Sequence, residues 1–107
     1  MNKQEILNKF NFKLPKGFVD FYINSNNLEI QKDEGYIILW SLEKMEELNH
    51  AYQVDVYAPE FFIFGSDGAD TAFAIERKTG LIYEMPFIGM GKDDATLIGD
   101  SIALVVE

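Results

Sequence analysis

Apolar residues recur with a helical period in the first part of the chain and with a strand period in its second half. In KQEILNKF (3–10), Ile6, Leu7 and Phe10 stand at helical spacing, which predicts a short helix. In LPKGFVDFYINSNN, Leu14, Phe18, Phe21 and Tyr22 share one face at i, i+4, i+7 and i+8. Pro15 fits the first turn of that helix, where a missing N–H costs nothing. Asn24, Ser25, Asn26 and Asn27 supply the turn chemistry that ends it. Leu28–Ile30 reads as a short strand, and Lys32, Asp33, Glu34 and Gly35 as a turn.

YIILW (36–40) is β-branched and aromatic, the composition of a strand. Ser41 then caps a helix whose early turns carry Glu43, Glu46 and Glu47, as the helix dipole prefers. Its apolar stripe is Leu42, Met45, Leu48 and Tyr52. Residues 53–60 form a connection ending near Pro59. FFIF (61–64) is a buried-strand run. TAFAIER alternates, with Thr71, Phe73 and Ile75 on one side and Ala72 and Ala74 on the other. Lys78, Thr79 and Gly80 make a hairpin turn, after which Leu81, Tyr83, Met85 and Phe87 share a face. Gly89, Gly91 and Lys92 form a loop. Asp93 or Asp94 then caps a last helix with Ile98, Ile102, Val105 and Val106 inward. Gly99 weakens that helix by about 1 kcal/mol, and IALVV also reads as a strand. The whole predicts a single α+β domain over 1–107, an antiparallel meander packed with N-terminal, middle and C-terminal helices.

Composition narrows the function classes. The 107 residues suffice for one core. No segment approaches the roughly 18 apolar residues of a membrane span, so no membrane association is expected. MNKQEILNKF has neither a long apolar run nor a small-residue cleavage site, so no signal peptide is expected. With no cysteine there are no disulfides, thiolate metal sites or cysteine nucleophiles, which points to an intracellular, cytoplasmic protein, with a cysteine-free secreted domain as the alternative. The net charge is −9 and is unevenly spread. Lys3, Lys9, Lys13 and Lys16 face Glu5 alone at the start, whereas the rest of the chain holds five basic and seventeen acidic residues. Such a body repels nucleic acid and steers basic partners toward itself; the competing reading is that the charge serves solubility alone.

The candidate chemistry centres on FGSDGAD (64–70). A calcium loop needs oxygen ligands at alternating positions and a bidentate Glu at its end; Asp67 and Asp70 are the only carboxylates here. A phosphate cradle puts amides at a helix N-terminus, but a strand follows this loop. The turn reading accounts for every residue: Gly65 and Gly68 allow positive φ, and Ser66 and Asp67 bond local amides. No metal and no cofactor are therefore expected. His50, the one histidine, lies off the helix stripe and reads as solvated. Nothing marks a catalytic pair among the eighteen acids, so no enzyme is expected. Trp40, the one tryptophan, reads as core or core edge, with a surface hot spot as the alternative.

In LPKGFVDFY (14–22), ILWSLEKMEELNHAY (38–52), FFIFGSDGAD (61–70), TAFAIE with its following TG (71–80), and the acidic entry to the last helix near 93–102, the chain resembles the SUKH superfamily, the Smi/Knr-type domain. The resemblance spans about two-thirds of the chain and rests on motif order more than on any one motif. It implies an α+β fold without catalytic machinery. It also implies a role like that of its bacterial members, largely immunity proteins that neutralise a toxin, often a nuclease, or of fungal members linked to regulation of cell-wall synthesis. A basic toxin is the partner this charge would suit. Acids and aromatics that could converge on it are Asp67 and Asp70 in the loop, Glu46 and Glu47 on the helix, and Trp40 and Tyr57 as anchors. A regulatory scaffold and a small ligand-binding or hydrolytic domain are the competing readings. FFIF and YIILW would allow self-association if they left a strand edge open.

Overall fold

The computed structural model describes residues 2–25, 27–33 and 35–107. Asn26 and Glu34, which belong to the turns expected at 24–27 and 32–35, lie outside them. Two short helices, α1 (Lys3–Lys9) and α2 (Phe18–Asn24), lead into a hairpin of β1 (Glu29–Lys32) and β2 (Gly35–Leu39). Helices α3 (Leu42–Ala51) and α4 (Val54–Tyr57) precede β3 (Phe61–Ser66), β4 (Thr71–Glu76) and β5 (Ile82–Pro86). A 3₁₀ turn at Lys92–Asp94, strand β6 (Thr96–Gly99) and α5 (Ala103–Val106) complete the order. The six strands form one antiparallel sheet in sequence order, a meander without crossovers.

The sheet centre is buried on both faces, and side-chain alternation decides what goes where. Phe62, Phe64, Phe73, Ile75 and Ile82 point into one core with Ile6, Phe18, Val19, Met45, Ile102 and Val105. Phe61, Ile63, Ala72, Ala74 and Met85 point into a second core with Val54, Ala58 and Met90. The alternation expected of β4 is therefore realised, Phe73 and Ile75 on one side, Ala72 and Ala74 on the other. The small alanines admit α4 and the β5–β6 loop close to the sheet.

Four local expectations need correcting. The second helix starts at Phe18, not at Pro15. Lys16 instead pairs with the C-terminal segment: its N–H donates to the Asp100 carbonyl at 2.8 Å, and its carbonyl accepts from Ile102 N–H at 3.0 Å. Extended backbone in that bridge cannot be helical, and Pro15 has no N–H to lose there. Second, Ser41 occupies the cap position of α3, but its side chain makes no capping bond. Third, residues 54–57 of the expected connection are the helix α4. Fourth, the expected last helix divides. Its first part is β6, paired with β5 through Tyr83↔Leu97 and Glu84↔Thr96, and only Ala103–Val106 is helical. An edge strand made the difference: β5 offered backbone donors and acceptors that a helix over 94–99 would have left to solvent.

Candidate functional site

The acidic loop is built by its own side chains. Asp67 Oδ1 accepts from Ala69 N–H at 2.9 Å and from Thr71 N–H at 3.2 Å, while Ser66 Oγ accepts from Gly68 N–H at 3.1 Å. Asp67 N–H also donates to the Thr71 carbonyl, closing the β3–β4 turn. Gly68 has φ +82°, as expected. Gly65 does not have positive φ; it sits in β3 at a register shift. Its glycine is required by closeness, because a Cβ there would lie 2.8 Å from the Ile38 carbonyl oxygen of β2. Among the described residues, no group of three or more His, Asp or Glu is placed to hold a metal ion.

An aromatic cluster stands beside this loop. Trp40 lies 5.8 Å from Tyr52 with ring planes 14° apart, and Tyr52 lies 4.8 Å from Phe87 with planes 30° apart. Trp40 and Phe87 are 6.5 Å apart, too close for Tyr52 to be sandwiched between them. Tyr52 therefore lies across the pair. The chain enters and leaves this cluster on fixed backbone: Trp40 N–H donates to the Phe64 carbonyl, the Trp40 carbonyl accepts from Tyr22 OH at 2.8 Å, and Phe87 N–H donates to the Asp70 carbonyl at 2.9 Å. Burial pushes the Tyr22 phenol far above its usual range.

Elsewhere on the surface, a groove of about 600 Å³ runs along α3. Glu43, Glu46, Glu47 and Asp55 line it, with His50 and Arg77. Arg77 rests on the rings of Phe12 and Phe62, 4.9 and 5.4 Å from their centroids. That partial burial lowers its pKa, an effect Asp55 offsets in part. A fourth feature pins the β5–β6 loop: Lys92 Nζ bonds Glu76 Oε2 and, at 3.2 Å, Tyr83 OH, while Thr79 Oγ1 donates to Glu76 Oε1 at 2.6 Å. The bonds from Lys92 and Thr79 hold the Glu76 carboxyl below the usual carboxylate range, and Glu76 raises Lys92 in turn.

The six residues singled out from the sequence do not form one cluster. Trp40 and Asp70 are neighbours through Phe87. Glu46 and Glu47 line the α3 groove. Asp67 is committed to its turn. Tyr57, 61% exposed at the end of α4, is in none of the aromatic pairs among the described residues. Trp40 is half-buried against both cores, the core-edge position expected of it, whereas Tyr52, expected on a core-facing stripe, and Phe87, expected on a strand face, were not foreseen as its stacking partners. Sequence reasoning also passed over Ile88, which is 92% exposed. A bulky apolar residue inside PFIGMG, a glycine-rich loop, was the available signal.

An acidic α+β domain with a six-stranded meander, helices on both faces and a half-buried aromatic stack at the core edge is the class of protein defined here. The chain belongs to the SMI1 / KNR4 family (SUKH-1), whose model matches residues 3–105. No curated protein matches it. Among the described residues, no helix is long and apolar enough to cross a membrane.

Proposed function

We propose that this protein is a non-catalytic binding domain that acts as an immunity protein, occupying and neutralising a basic toxin, a nuclease among the candidates, in the cytoplasm. Family membership supports a protein partner. The observation that carries the finer reading is the charge asymmetry. Segments 41–70 and 84–95 hold ten acids against Lys44 and Lys92, and Lys92 is already bonded to Glu76. The lysines at 3, 9, 13 and 16 are confined to α1 and the approach to α2, and of these Lys9 borders the acidic α3 beside Glu43 and Glu46. A nuclease must attract phosphate, so it presents a cationic surface that an acidic face can block without turnover.

The test is capture with the tagged protein from source cells at low and at high salt, followed by co-expression with the captured protein. A basic toxin recovered at low salt, weakened at high salt and rendered harmless by co-expression is the expected result. A salt-insensitive, non-toxic partner would favour the second reading, a regulatory scaffold of the kind associated with fungal relatives. Recovery of the protein's own copies would point to self-association instead.

A further inference from the structure

We infer that the slab formed by Trp40, Tyr52 and Phe87, with Ile88 beside it, is the surface on which a cationic segment of the protein partner docks, an arginine side chain lying over the rings. The inference rests on the basic-partner reading above and specifies the surface that meets it.

Three observations converge on this surface. First, four of the nine exposed large apolar side chains among the described residues stand on neighbouring segments. Tyr52 is 45% exposed, Val56 65%, Tyr57 61% and Ile88 92%, and all lie on the end of α3, on α4 or in the β5–β6 loop. Clustered apolar exposure of this kind marks interaction surfaces, whereas single exposed residues do not. Second, the rings stand in roughly parallel planes, with Tyr52 stacked across Trp40 and Phe87, so that Tyr52 is the ring turned outward. The flat outer face of a stacked ring suits the flat face of a guanidinium. The backbone bonds at Trp40 and Phe87 hold the rings in place before binding, which reduces the ordering cost of association. Third, the charge of the neighbourhood is complementary to a cation. Asp70 is joined to Phe87 through its carbonyl, Asp93 and Asp94 follow in the same loop as Ile88, and Asp94 shares a surface hollow with Asp70. A neutral apolar partner would have no use for that rim, and an acidic one would be repelled by it.

Trp40 is the one tryptophan, so emission has a single source, and it lies beneath this surface. The probe is a synthetic peptide of alternating arginine and leucine that contains neither tryptophan nor tyrosine, compared with the same peptide carrying glutamate in place of arginine. We expect a saturable change in Trp40 emission with the arginine peptide and none with the glutamate peptide. Tyr52→Ala and Ile88→Ser should each weaken binding at least about threefold. Asp20→Asn, on α2 over the other core, should leave it within about twofold. Ile88 is so exposed that its substitution leaves folding intact, and thermal melting checks Tyr52→Ala. An unresponsive Trp40 would overturn the inference. So would equal weakening by Asp20→Asn and Ile88→Ser, the mark of diffuse attraction. A basic toxin still captured undiminished by both aromatic-surface variants removes the slab and leaves neutralisation standing. A peptide seated on the slab, with no basic partner in the cells, supports the surface and removes the toxin reading.

Discussion

The side-chain amide of Asn49 pairs with both backbone groups of Ile63: its Nδ2 donates to the Ile63 carbonyl at 2.8 Å, and its Oδ1 accepts from the Ile63 N–H at 2.8 Å. The side chain takes the place of a neighbouring strand. β2 pairs with β3 only at Ile38↔Ser66 and Leu39↔Gly65, so the first part of β3 lacks a strand on that side. Helix α3 covers the gap, and Asn49 Nδ2 is shared with the Met45 carbonyl. The sheet edge is thereby closed by a helix, which blocks the edge pairing that FFIF would otherwise invite.

Asn49→Ala is expected to leave the buried N–H and carbonyl of Ile63 unpaired and to cost about 2–4 kcal/mol. Asn49→Asp retains the acceptor but loses the donor, and should cost a similar amount. Urea denaturation of the two variants checks this; a loss within experimental error for both would show that water replaces the amide.

Gly65→Ala would bring a Cβ to 2.8 Å from the Ile38 carbonyl oxygen. Because the obstacle is backbone, β2 and β3 must move apart, at about 1–3 kcal/mol. The midpoint of chemical denaturation should fall accordingly, with the slope unchanged.

The lowered Glu76 pKa makes stability depend on pH in a defined direction. A depressed carboxyl contributes stability that is present above its unfolded pKa and lost as pH falls through its folded value. Wild type should therefore lose stability more steeply below about pH 4.5 than Glu76→Gln. The raised Lys92 has the opposite sign: its contribution is present below its unfolded pKa and is lost as pH rises through its folded value. Stability profiles of wild type and Glu76→Gln at acid pH measure the first part, and parallel curves would contradict it.

Tyr22, buried and donating to the Trp40 carbonyl, has its pKa raised. Its stabilising effect is complete below the ordinary phenol pKa and is lost as pH rises beyond it. Ultraviolet titration should show one of the five tyrosines resisting ionisation until alkali unfolds the chain. Tyr22→Phe should remove that delayed step and cost about 0.5–1.5 kcal/mol.

Asp67 and Asp70, adjacent in the sequence reading, should separate by experiment. Asp67→Ala removes the acceptor for Ala69 and Thr71 and should cost about 1 kcal/mol in stability. Asp70→Lys, at an exposed side chain, should leave the melting temperature nearly unchanged and weaken capture of a basic partner. Undiminished capture by Asp70→Lys would take this acid out of the interface.

The sequence by itself determined what depends on near neighbours. The alternation in TAFAIE assigned Phe73 and Ile75 to one core and the alanines to the other, because strand side chains alternate whatever lies above them. The β3–β4 turn was legible because Ser66 and Asp67 bond amides within four residues. The charge asymmetry was legible because it needs no geometry at all. Only the tertiary structure decided the rest. Whether residues 96–99 become strand or helix depended on β5 presenting an open edge. Asn49, an unremarkable polar residue in a helix sequence, gained its role only when Ile63 was brought opposite it. Trp40, Tyr52 and Phe87 come from three separate elements, and no local periodicity relates them; their rings meet because the meander returns β5 to the end of the sheet where α3 stops.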